Sequence, residues 1–191
     1  EFRRVLFRSG AQEIAGAEAN DWYKLAMDEL ERFEPAFQQG TLGQVGEFLR
    51  IADGIADSLL KSDRLLAQVY AGTPGRQVIT NPVNVAILAT KLGMGLRYGR
   101  DELARVALGG LLHDVGMFNV PDAIISQTDP LSTSDREVIE QHPEVGAEIV
   151  ATLGSSFGWL KQVAAQEHER WNGQGYPTGD RKSTRLNSSH L

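Results

Sequence analysis

The chain has 191 residues, 41% of them hydrophobic and 23% charged, with a net charge of −6 and no cysteine. That length fits one domain of ordinary size with a helical extension. The absence of cysteine excludes disulfides and thiolate metal sites, so any metal must be held by nitrogen and oxygen. The acidic balance argues against a nucleic-acid polymer as partner, and no apolar run approaches the ~18 residues of a membrane span.

The two ends, "EFRRVLFRS" (1–9) and "DRKSTRLNSSHL" (180–191), have no helical or strand periodicity and are rich in Arg and Ser. Leu6-Phe7-Arg8-Ser9 can be encoded by CTCTTCCGATCT and Asp180-Arg181-Lys182-Ser183 by GATCGGAAGAGC, which are reverse complements over nearly their whole length. Both ends are therefore read as translated sequencing-adapter scars on a gene cut at each side, expected to lack packed contacts. Each carries three basic residues and one acid, so the remainder carries a net charge of −10.

Between them the spacing predicts helix after helix. Residues 10–72 read as an N-terminal helical region. Its first helix falls within 11–37, with Trp22, Leu25, Leu30 and Phe33 roughly on one side and Pro35 and Gly40 weakening or ending it. A longer helix is expected from Val45 to Tyr70. There Val45, Ala52, Leu59 and Leu66 recur every seven residues, interrupted at Ser62 and Asp63. Such a stripe either packs within its own domain or serves a homodimer through the 45–70 helix. "AGTPGRQ" (71–77) is a turn-forming break and the best internal boundary.

Helices near 80–93 and 100–114 follow, then a loop carrying Pro121. Ser134 with Glu137 matches a capping box that starts the next helix. Pro143 can open a further helix, which puts His142 at a helix–helix junction. The last helix is expected from about Phe157 to Arg170, before the Gly-rich loop "NGQGYPTG". No alternating pattern of useful length appears, so the fold class is all-α.

Outside the ends the chain has three histidines, His113, His142 and His168, each near the end of a predicted helix. Asp114 follows the first and Glu167 precedes the last. A lone histidine is more often a surface or hydrogen-bonded core residue than a ligand, and a Gly-Pro loop is usually only a turn. Concentration changes the weighing: imidazole with carboxylate suits Fe, Mn, Zn and similar divalent ions, and all-α folds build such sites from facing helices.

"LLHDVGMFNVPDAII", "HPEVGAEIV" and "EHERWNGQGYP", in that order, resemble the HD-GYP family over about residues 78–179. The resemblance implies an HD-superfamily helical bundle over those residues, so the fold expected is that bundle with the 10–72 region as an N-terminal helical extension. It also implies a cytoplasmic bacterial signalling enzyme that hydrolyses the second messenger cyclic di-GMP at a two- or three-metal centre. By the same resemblance His113 and Asp114 are catalytic and metal-binding, Asp114 bridging the ions, while His142, Glu167 and His168 are further ligands. Arg170, Trp171, Gly175, Tyr176 and Pro177 are implied to bind substrate, Tyr176 and Pro177 shaping the site mouth in a loop also implicated in contacts with a protein partner. Arg170 suits a phosphate and Trp171 a guanine face, although a buried tryptophan is the commoner case.

Some positions depart from the family pattern. Glu167 stands for a histidine but still offers a ligand. Asn81 stands for another histidine and offers only an amide oxygen, a much poorer ligand. Met117 stands for a lysine, so a cation for the phosphate is lost. A further aspartate ligand would lie beyond residue 179. One metal position, with Asp114, His142, Glu167 and His168, is expected to be strong and a second weak, the ions being Fe or Mn, with Zn also suitable. The alternative is a degenerate module that binds cyclic di-GMP or a partner protein without turnover. The folded chain should gather His113, Asp114, His142 and His168 around one concave site with Glu167 at its edge.

Overall fold

Apolar side chains spaced at 3.6 residues dictate helices, and the computed structural model, which describes residues 19–179, contains helices and turns with no strand among them. The expectations for residues 1–9 and 180–191 lie outside the described residues. Helix α1 (Ala19–Gln38) buries Tyr23, Ala26, Leu30 and Phe37 on one face. It continues through Pro35, and the chain turns at Gly40, whose φ of 74° favours glycine.

The single helix expected from Val45 to Tyr70 is two: α2 (Gly46–Lys61) and α3 (Arg64–Ala71). Ser62 adopts extended geometry between them, as serine and aspartate side chains compete with helical hydrogen bonding. Phe48, Ala52, Ile55 and Leu59 of α2 lie in the chain's own core. The apolar stripe that suggested a homodimer therefore faces inward.

Helices α4 (Gln77–Gly95) and α5 (Arg100–Leu112) pack along one another, and α5 also packs on α2. A 3-10 turn (Val115–Asn119) and the short α6 (Asp122–Ile125) occupy the stretch expected as a loop. Then come α7 (Thr133–Glu140), α8 (His142–Ala151), a second 3-10 turn (Ser155–Phe157) and α9 (Gly158–Gln166). Pro143 sits in the first turn of α8, where its missing N–H costs nothing. Helix α9 ends four residues before Arg170: Leu160 and Ala164 are its buried positions, and the next turn offers only Glu167 and His168 to that face.

The cap of α7 also differs from the sequence reading. Ser132, not Ser134, accepts from the Asp135 backbone N–H at 3.1 Å, and the Asp135 carboxylate accepts from the Ser132 N–H at 3.3 Å. The same box two residues earlier lets α7 start at Thr133. Ser132→Ala should therefore cost about 1 kcal/mol, and Ser134→Ala less than about 0.5 kcal/mol, by chemical denaturation. Equal losses would return the cap to Ser134.

One hydrophobic core crosses the 71–77 break, running from Leu30, Phe37 and Phe48 to Leu111, Leu112 and Phe118. Phe37 and Phe118 lie 5.1 Å apart between ring centroids, which ties α1 to the 3-10 turn that follows His113 and Asp114. No helix among the described residues is long and apolar enough to cross a membrane.

Candidate metal centre

Every candidate ligand sits where a helix starts or stops. His113 caps the C-terminal end of α5, Asp114 precedes the first 3-10 turn, His142 begins α8, and Glu167 and His168 follow α9. Two packings bring these ends together: α8 lies against both the 3-10 turn and α9. The first packing is close. A Cβ added at Gly116 would stand 2.0 Å from the His142 carbonyl oxygen and 2.7 Å from the Gly146 nitrogen, so only glycine allows this approach.

Ligand atoms of Asp114, His142, Glu167 and His168 all lie within 4.8 Å of one another. Atoms each about 2.1 Å from a common ion stand about 3–4 Å apart, so small side-chain movements would close the set on one cation. His142 Nε2 is 3.2 Å from both Asp114 Oδ1 and Glu167 Oε1. His113 Nε2 is 3.4 Å from Glu167 Oε2 and 3.9 Å from Asp114 Oδ2. Glu167, expected at the edge, instead reaches His142 with one oxygen and His113 with the other. His168 is the peripheral member, 4.0 Å from Glu167 Oε1 and with the most exposed side chain of the group.

Two of the imidazoles are aimed by backbone carbonyls. His113 Nδ1 lies 2.8 Å from the Gly110 oxygen and His142 Nδ1 2.7 Å from the Ile139 oxygen. A carbonyl can only accept, so each Nδ1 carries the proton and, in the neutral ring, each Nε2 presents a lone pair to the site. At His142, which is 3% exposed, that lone pair faces two carboxylate oxygens. Such an arrangement requires a proton or a cation between them.

The electrostatics agree. Burial pushes the His142 pKa down, but the Glu167 hydrogen bond, the Ile139 carbonyl and the Asp114 charge outweigh it and hold the value above the ordinary one. Burial lowers that of His168, which favours its neutral, ligand-competent form. Asp114 Oδ1 is buried with no hydrogen-bond partner among the described residues. Opposite a neutral His142 Nε2, 3.2 Å away, a buried carboxylate oxygen without a hydrogen bond is costly, and a divalent ion is what this donor set would accept.

The remaining candidates surround the cluster. Asn81, exposed on α4, directs its amide at Asp114 Oδ2 from 3.5 Å. Met117 lines a cavity of about 270 Å³ with Asn81, Asp114 and Ile139. A larger one of about 570 Å³ opens on the other side, touching His113 and Glu167 between walls that include Val106 and Trp159. Arg170 and Trp171 line neither, and Trp171 is 82% exposed. Gly175 and Tyr176 fold back on His168, with the Tyr176 ring 4.6 Å from that of His168, and Pro177 follows through a cis peptide bond. The aiming carbonyls of Gly110 and Ile139 and the contact at Gly116 were missed in the sequence, where only the glycine of "HDVG" could have flagged the last.

Comparison with known proteins converges on this region. The HD domain family matches residues 56–184. A cyclic di-GMP phosphodiesterase of Pseudomonas aeruginosa is 29% identical over 130 residues, covering 68% of this chain and 31% of that protein. A 3'3'-cGAMP-specific phosphodiesterase of Vibrio cholerae is 30% identical over 94 residues, covering 49% of this chain and 18% of that protein. The chain thus spans less than a third of the length of these curated relatives. Among solved structures, Bd1817, an HDG"Y"P protein of Bdellovibrio bacteriovorus, superposes with a TM-score of 0.68 at 19% identity, over 95% of this chain and 58% of that one. That likeness concerns the fold.

Proposed function

The chain belongs to the HD domain family, and from that premise we propose that it is of the HD-GYP branch and forms the metal-dependent core of a phosphodiesterase acting on cyclic di-GMP in the bacterial cytoplasm. The observation that carries the proposal is the convergence of Asp114, His142, Glu167 and His168 around a buried carboxylate oxygen that has no hydrogen-bond partner among the described residues. A bound divalent ion would supply Lewis acidity there, acidifying water and neutralising phosphate charge.

The residues divide the work. Asp114 turns Oδ1 toward His142 and Oδ2 toward His113 and Asn81, so its carboxylate can serve two ion positions. Glu167 spans the same two sides. The strong position takes Asp114, His142, Glu167 and His168. The weak one has His113, with an amide at Asn81 in place of an imidazole. Carboxylate oxygens beside imidazoles suit Fe or Mn, with Zn third. Arg170 and exposed Trp171 are proposed to meet the phosphate and a guanine face at the site mouth. The loop through Tyr176 and Pro177 is the face proposed for a protein partner.

The test is incubation of cyclic di-GMP with the protein and Mn²⁺ or Fe²⁺, following the linear product, with 3'3'-cGAMP in parallel. Asn81→His and Met117→Lys should together raise turnover at least about tenfold, since tuning groups around a metal are worth 10–100-fold. Tight binding without product, before and after both substitutions, would make the chain a receptor. No binding by any variant would refute both roles.

A further inference from the structure

His113 and His142 are each oriented by an Nδ1 contact to the carbonyl three residues earlier. The His168 ring makes no hydrogen bond within the described residues, although it belongs to the same cluster. Two rings hold it instead. His142 meets it edge-on, with centroids 4.9 Å apart and planes at 82°. Tyr176 lies flat on it, with centroids 4.6 Å apart and planes at 15°.

The loop that carries Tyr176 is built onto His168 as well. The Tyr176 backbone N–H donates to the His168 carbonyl at 3.2 Å. A Cβ at Gly175 would stand 2.4 Å from that same carbonyl oxygen and 2.3 Å from the Arg170 nitrogen. Glycine at 175 lets the backbone come this close, the backbone hydrogen bond sets the distance, and the aromatic face then lands on the imidazole.

We propose that Tyr176 is a positioning residue for the metal ligand His168, its ring doing for this imidazole what the Gly110 and Ile139 carbonyls do for the other two. This rests on the metal-centre reading above. An aromatic face restricts tilt of the ring while leaving both nitrogens free of protein hydrogen bonds, so Nε2 stays available to the cluster. The Tyr176 hydroxyl makes no hydrogen bond within the described residues, so the ring rather than the hydroxyl carries the role. Tyr176 therefore acts through His168 and needs no contact with substrate.

The test compares Tyr176→Leu, Tyr176→Phe and His168→Ala by titration with Mn²⁺ alone, reading the free ion by electron paramagnetic resonance. Outer partners of metal ligands are worth 10–100-fold in affinity, so Tyr176→Leu should weaken Mn²⁺ by about that factor while Tyr176→Phe keeps wild-type affinity. In the metal-free protein, NMR should show the His168 ring protons shifted upfield by the tyrosine face. That shift should be retained in Tyr176→Phe and lost in Tyr176→Leu. Wild-type affinity in Tyr176→Leu, with His168→Ala clearly weakened, would overturn the positioning role and leave the metal centre standing. Equal losses in the Phe and Leu variants would move the role to the hydroxyl and overturn the ring platform. Unchanged affinity in His168→Ala would instead overturn the metal reading of this residue, and this inference with it.

Discussion

Replacing Asp114 with asparagine is expected to abolish metal-induced stabilisation while leaving the metal-free protein as stable as before, or more so. The change keeps the shape of the side chain and removes its charge. In the metal-free protein Oδ1 is a buried carboxylate oxygen without a hydrogen-bond partner among the described residues, an arrangement that costs free energy. Its attraction for a protonated His142 works the other way. Because the His142 pKa is raised in the fold, that attraction contributes below the ordinary histidine range and is lost as pH rises through the raised value. A metal-free comparison at pH 9 therefore isolates the carboxylate, and the melting temperature should not fall.

Metal reverses the picture. An ion at a hundred times its Kd stabilises a folded protein by about 2.7 kcal/mol, or about 5–10 °C for a chain of this size. Wild type should show that rise and Asp114→Asn should not, because a neutral amide oxygen is a poor ligand. Turnover of cyclic di-GMP should drop at least about 100-fold, since even outer partners of ligands cost up to that much. A drop of several degrees in the metal-free variant would make Asp114 a structural residue. A full metal-induced rise in the variant would remove it from the centre.

Gly116→Ala should disrupt the same centre without touching a ligand. The new methyl would meet backbone on α8, the His142 carbonyl at 2.0 Å and the Gly146 nitrogen at 2.7 Å, and no side-chain rotation relieves either contact. The 3-10 turn and α8 must separate, which moves His142 away from Asp114. A clash with main chain sits at the upper end of overpacking costs, about 3 kcal/mol, or about 6–12 °C in melting temperature. Mn²⁺ affinity should fall with it. Gly158→Ala is the control: its added methyl meets nothing within 4 Å, so the change should be neutral or stabilising by about 0.4–1 kcal/mol. Wild-type stability and affinity in Gly116→Ala would show that the close packing of α8 on the turn is not what places His142.

Much of this protein was legible before folding. The spacing of Leu30, Ala52 and Leu59 marked helices because a buried face must recur with the helical period, and those residues are in the core. Pro143 marked the start of α8 because proline is favoured in a first turn, where its missing N–H costs nothing, whereas Pro35, expected to weaken or end its helix, sits inside α1. The break at Ser62 and Asp63 was visible as an interruption, but not that it ends one helix and starts another. Whether Ser132 or Ser134 caps α7 was open too, as both have an acid three residues on.

By itself the sequence determined the helical class, the order of the elements and the residue types able to hold a divalent ion, because these depend on local periodicity and on the chemistry of single side chains. Tertiary structure alone decided which of those residues form one site and in what roles. Glu167 became central because α9 delivers it between His113 and His142, twenty-five residues from the latter in sequence. The middle of the heptad stripe, Ala52 and Leu59, became core because α1 and α5 both pack on the helix that carries it, and Tyr176 became a neighbour of His168 because a glycine beside it lets two backbone segments touch. Each of these outcomes depends on the distance between segments remote in the chain. That distance is set by packing many side chains at once, which no local pattern records.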